Sequence, residues 1–166
     1  AAIRAKLNPD GALLVQLPDL ARNPFDLTVA DHCSHFTFPT LEALLLDSGF
    51  EVVVASGDWI PKELSFVVKP AAAPVPHPNP SPAQQRAVAE NALAWLRSLA
   101  AGADELAGTG GLGVFGTSIA ATWLFAELEG RVSFFVDEDP DRIGRTYMGR
   151  PIFRPDDVPP GEPVLL

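Results

Sequence analysis

With one cysteine in 166 residues, Cys33, the chain cannot close a disulfide on itself. It also lacks a basic segment leading into an apolar one, and together these absences point to a reducing, cytoplasmic setting. No uninterrupted apolar run approaches the roughly 20 residues that cross a bilayer, so no membrane partner is expected. Positive charge is scarce, with 12 Lys and Arg against 21 Asp and Glu and a formal net charge of −9. Nucleic-acid binding draws much of its affinity from Lys and Arg displacing counterions, so nucleic acid is not expected as a partner either. Histidine is limited to His32, His35 and His77, which narrows where imidazole chemistry can sit.

Proline, by contrast, is abundant and unevenly spread. Pro70, Pro74, Pro76, Pro78, Pro80 and Pro82 crowd one stretch among alanines, a composition that favours extended polyproline II and builds no core. We read residues 70–82 as a linker or strap between a first part, 1–69, and a second, 83–166. The first part opens as if in mid-domain: residues 1–6 resemble a helix tail, and residues 8–11 a turn. Ala12 to Leu17 then reads as a buried strand ended by Pro18. A short amphipathic helix is expected from Pro39 to a stop at Gly49, followed by strands Phe50 to Ala55 and Leu64 to Lys69 as a closing antiparallel hairpin.

In the second part, Ser81 and Pro82 start a long helix running toward Gly102. Strand Leu112 to Phe115, helix Ser118 to Leu128, strand Val132 to Val136 and a last strand from Val164 imply a parallel, Rossmann-like α/β unit.

The densest reactive cluster is Asp31-His32-Cys33-Ser34-His35-Phe36-Thr37, just before the first helix. An imidazole titrates near neutrality, and a neighbouring carboxylate can fix its tautomer, so Asp31 and His32 are a candidate base pair. A metal site built from His32, Cys33 and His35 is not expected, because so short a loop rarely closes a tetrahedral set without further ligands. The plainer alternative is that these side chains cap the helix and fill the loop.

Pro18-Asp19, then the Asp31 to Thr37 run, then Leu41, Leu44-Leu45 and Gly49-Phe50-Glu51-Val52 resemble the S-adenosylmethionine-dependent sugar C-methyltransferases. Asp31 stands where that family usually has Glu, His35 where an aromatic is common, and Thr37 where Ser is common. The tail Val136-Asp137-Glu138-Asp139-Pro140, with Arg142, Gly144-Arg145 and Met148 to Ile152, is similar to the C-terminal domain of the same enzymes. It is also similar to the N-terminal domain of nucleotide-sugar acyltransferases. The resemblance implies the C-terminal part of a class I methyltransferase sheet followed by a second Rossmann-like domain. It implies His32 as the base that removes a proton beside a sugar ketone and Asp31 as its carboxylate neighbour; His35, in the same run, is a candidate substrate contact. The cofactor-binding half would lie upstream of residue 1, so S-adenosylmethionine is expected in the intact protein and not on this chain alone. The partner would be a small molecule of the nucleotide-sugar kind.

Gly116-Thr117-Ser118, between a strand and a helix, is a second candidate, since a helix start directs free N–H groups at an anion. Asp137 follows Gly116 at close to the spacing of a ribose-binding acid, or else simply opens the turn through Pro140. Ser118 as a hydrolase nucleophile fails, because no histidine follows it in the chain. Two rivals to the enzyme reading stay open: a nucleotide or nucleotide-sugar binding module without catalysis, and a structural or homodimerising domain with an empty loop.

Overall fold

The computed structural model describes residues 2–8, 10–128 and 130–166. Ala1 and Pro9, in the expected helix tail and turn, lie outside the described residues. The chain is α/β with mixed strand directions. It divides into two compact units, 1–93 and 94–166, and the division falls inside a long helix rather than at the proline stretch.

The first unit holds β1 (Leu13–Pro18), α1 (Phe38–Asp47), β2 (Phe50–Ser56) and β3 (Glu63–Pro70). The sheet order is β1-β3-β2, and β3 runs antiparallel to both neighbours. β1 and β2 therefore point the same way, with their carboxyl ends on one side. Leu41 and Leu45 of α1 pack on Phe50, Leu64, Phe66 and Val68, with Leu13, Val15 and Leu17 joining from β1. Phe38 meets Phe66 with ring centroids 4.7 Å apart. Each fully buried side chain of this set, such as Leu41, Leu64, Phe66 or Val68, stabilises the fold by about 1.5–3 kcal/mol.

The expectation of a buried strand at β1 needs correction. Leu14 is 59% exposed and Gln16 is exposed, because α1 covers only the face carrying Leu13, Val15 and Leu17. The expected stop of α1 is present: the Gly49 N–H returns to the Leu46 carbonyl at 3.0 Å, with a φ of +82° that other residues adopt at a cost.

Beyond β3 the prolines form no regular element, and the segment is strapped to the first unit. The Ala71 N–H bonds the Gly49 carbonyl at 3.0 Å, and Arg4 Nη2 bonds the Ala71 carbonyl at 3.0 Å. His77 Nε2 meets Asp47 Oδ1 at 3.1 Å. The Asp47 hydrogen bond, helped by the Pro78 carbonyl, raises the His77 pKa above its ordinary value. The third histidine is thus a fastener of the strap.

α2 (Pro82–Ala107) leads into the second unit, which holds β4 (Leu112–Phe115), α3 (Ile119–Glu127), β5 (Val132–Val136), β6 (Thr146–Tyr147), β7 (Arg150–Phe153) and β8 (Val164–Leu165). The sheet order is β6-β7-β5-β4-β8; β4, β5, β7 and β8 run parallel, and β6 is antiparallel to β7. Its core joins Leu112, Val114, Val132, Phe135 and Ile152 of the strands to Ala121 and Leu124 of α3 and Ala103 and Ala107 of α2. Among the described residues, no helix is long and apolar enough to cross a membrane.

Candidate functional site

The loop from β1 to α1 is closed at its base by backbone bonds. The Leu20 N–H donates to the Phe36 carbonyl at 2.8 Å, and the Asp19 N–H to the Lys62 carbonyl at 2.9 Å. The loop therefore stands over the carboxyl end of β1. Thr37 ends it by starting α1, its N–H bonded to Thr40 Oγ1 at 2.8 Å, and Thr37 Oγ1 also reaches Gln85 Oε1 at 2.7 Å.

Inside the loop, a 3-10 turn at Pro24–Thr28 carries Asp26 inward, where it is only 3% exposed. Both of its carboxylate oxygens are engaged. Oδ1 lies 2.7 Å from His32 Nδ1, and Oδ2 lies 2.6 Å from His35 Nδ1. Distances this short mark strong bonds between an imidazole N–H and a carboxylate.

The partner assigned to His32 from adjacency is therefore corrected. Asp31 is exposed, and the carboxylate held on His32 belongs to Asp26, six positions earlier. Successive loop side chains diverge, whereas the 3-10 turn folds Asp26 back beneath both histidines. The signal available in the sequence was an aspartate between two apolar residues, Phe25 and Leu27, six positions before His32. Cys33 is exposed and its Sγ lies 3.7 Å from the Asp31 carbonyl. Among the described residues, no group of three His, Cys, Asp or Glu is placed to hold a metal ion.

A cavity of about 110 Å³ adjoins the loop, lined by Leu17, Pro18, Asp26, His32, Ser34 and Phe36. His32 reaches it; His35 is not among its walls. Whole small-molecule sites occupy about 300–1,000 Å³, so this space suits the reacting end of a substrate rather than all of it. A larger cavity of about 250 Å³ lies under the strap, walled by Arg4, Asp47, Gly49, Ala71 and Val75 among others. Both of its charged side chains are already committed, Arg4 to Ala71 and Asp47 to His77, and no histidine lines it. Of these two cavities, the smaller is walled by an imidazole.

In the second unit, Gly116 follows β4 with a φ of +84°, and a side chain there would meet open space. Ser118 is the exposed N-cap of α3, with no side-chain cap bond. Thr117 and Asp137 are brought together, Thr117 Oγ1 donating to Asp137 Oδ2 at 3.1 Å. The sequence reading missed Arg142, whose Nη1 bonds Thr117 Oγ1 at 2.7 Å and Asp137 Oδ2 at 3.2 Å. Its Nε lies 3.3 Å from Asp139 Oδ2. Arg142 is thus matched by two carboxylates, which leaves an anion at Gly116 little beyond backbone N–H groups to bind.

The Asp139 N–H, 3.0 Å from Asp137 Oδ1, is the largest cause holding the Asp137 carboxyl below the usual carboxylate range, with Arg142 and Thr117 adding to it. A lowered carboxylate stabilises the fold fully above its ordinary pKa, and that stability drains as pH falls through the lowered one. Asp137→Asn should therefore cost about 1.5–3 kcal/mol at neutral pH, the worth of a charged hydrogen bond. The difference from wild type should shrink in strong acid. Urea titrations at neutral and acid pH check this, and an equal difference at both would contradict it.

No protein-family model matches the chain, and no curated protein does.

Proposed function

We propose that the first unit carries the substrate-side base of a C-methyl transfer to a sugar or nucleotide-sugar-like ketone, within an S-adenosylmethionine-dependent enzyme. The observation that carries this is His32: an imidazole bonded at Nδ1 to a buried carboxylate, lining a small cavity at the carboxyl end of β1. A carbon beside a carbonyl becomes nucleophilic only after losing a proton, and a positioned base typically contributes about 10²–10⁴-fold to such a step. In this chain the step is proton removal by His32 Nε2. The C–H bond breaks, its electron pair stays on the substrate as an enolate, and the proton is held on an imidazolium 2.7 Å from Asp26.

Two features of the fold support the reading. β3, the last strand of the first unit, is antiparallel between two strands of common direction, as suits the closing hairpin of a methyltransferase sheet. The parallel crossover β4-α3-β5 suits a Rossmann-like auxiliary domain. The residues of the first unit do not fit the cofactor itself. Its strands pair only antiparallel, and among its described residues no glycine-rich turn leads from a strand into a helix. Cofactor binding is accordingly proposed for the intact protein and not for these residues.

The test is the product. The intact protein, given S-adenosylmethionine and TDP- or UDP-linked ketosugars, should yield a sugar with a new carbon-bound methyl group, identified by mass and NMR. Residues 1–166 alone should bind the cofactor roughly a hundredfold more weakly, about 2.7 kcal/mol. An O-methylated product, no product with any ketosugar, or tight binding to the isolated chain would defeat the reading.

A further inference from the structure

We infer that Asp26 is the positioning residue of this site, a single buried carboxylate that fixes the tautomer of both His32 and His35. An ionised carboxylate only accepts hydrogen bonds, so each imidazole facing it must donate from Nδ1. The two distances, 2.7 and 2.6 Å, leave neither histidine free to face Asp26 with a bare nitrogen. In the neutral rings the proton is then confined to Nδ1, and both Nε2 atoms keep their lone pairs. A carboxylate 3% exposed has little access to water, so its two imidazole donors replace the hydration it loses on folding.

The histidines consequently divide the work. His32 lines the cavity and, on the proposed reading, is the base; this consequence rests on that reading. His35 is a second clamp on Asp26, holding the far oxygen so that the carboxylate stays aimed at His32. His35 is not among the walls of that cavity, and its Nδ1 is spent on Asp26.

Long-range proton–nitrogen NMR on the 166-residue chain, at a pH where the imidazoles are neutral, tests the assignment without any substrate. His32 and His35 should both show a protonated Nδ1 and a bare Nε2. In Asp26→Asn at least one ring should switch, because the amide has one accepting oxygen and its NH2 calls for a bare nitrogen. Asp31→Asn should leave both rings unchanged. A bare Nδ1 on either histidine of the wild type overturns the inference, as does Asp26→Asn with both tautomers retained. The wild-type spectrum decides even if Asp26→Asn fails to fold. In the intact protein, Asp26→Asn should lower kcat on the order of 100-fold with little change in KM. Correct tautomers in a protein that makes no C-methylated sugar would uphold the anchor and defeat only the proposed reaction.

Discussion

If the proposed function holds, replacing His32 by alanine in the intact protein is expected to lower turnover by about 10²–10⁴-fold, the range over which a positioned general base acts. The loss should fall on kcat, since proton removal belongs to the transition state and not to ground-state binding. His32 is 39% exposed at its side chain, which taken alone argues for a small stability cost. Asp26 changes that estimate. The substitution strips Oδ1 of its donor, and a buried acceptor left bare costs about 1–3 kcal/mol unless water enters the vacated space. His35→Ala is the matched control, because it strips Oδ2 in the same way without touching the cavity wall. Comparable falls in melting temperature with a much smaller loss of kcat for His35→Ala would assign the proton to His32. Equal losses of kcat would remove that assignment. His77→Ala loosens the strap at Asp47 and should leave turnover as it was.

The same cluster shows where the sequence was legible and where it was not. β4 and β5 were readable to the residue, because each is a short, largely apolar run between glycine and turn residues, and a parallel sheet buries most of such a run. Gly49 was readable because a left-handed residue after a helix is a local requirement, independent of what packs nearby. The partner of His32 was not, since it depends on a 3-10 turn bringing Asp26 back across six residues, and adjacency favoured Asp31 instead. The hairpin of β6 and β7 escaped for a different reason. Its strands are too short for any periodicity to show, and its turn puts Met148 at φ +49° beside Gly149 at +76°. Two successive positive φ values are the mark of a tight hairpin, but methionine gives no hint of the first.

The strap was half legible. Proline content foretold a segment without helix or strand, yet a composition says nothing of what the segment lies against. Arg4, Gly49 and Asp47 tie it to the first unit through one backbone and two side-chain bonds, so the division of the chain falls further on, within α2.

Phe135→Ala is expected to cost the second unit about 3–5 kcal/mol, the usual penalty for emptying a buried phenylalanine site. Phe135 is 0% exposed at the centre of the sheet, with the Tyr147 ring edge-on at 5.1 Å and Phe125 at 6.1 Å. Its neighbours sit on three elements, β6, α3 and its own β5, so they cannot close the cavity together without shifting backbone. Total stability of ordinary domains is about 5–15 kcal/mol, which makes this a loss of a third or more for all but the most stable. A domain of 60–100 residues falls by about 4–8 °C for each kcal/mol, so the transition should drop by more than 10 °C. Phe153→Ala is the internal comparison, because Phe153 is only partly buried and packs on Phe134 at 5.4 Å. It should cost clearly less. Urea unfolding gives the magnitudes, and amide hydrogen exchange gives their location. Faster exchange in β4 and β5 with β3 protected as before would show the two units opening separately. Uniform acceleration in both sheets would show that α2 couples them into one cooperative transition. A cost for Phe135→Ala below about 1 kcal/mol would contradict its place in the core, since even a well-relaxed cavity of that size costs more.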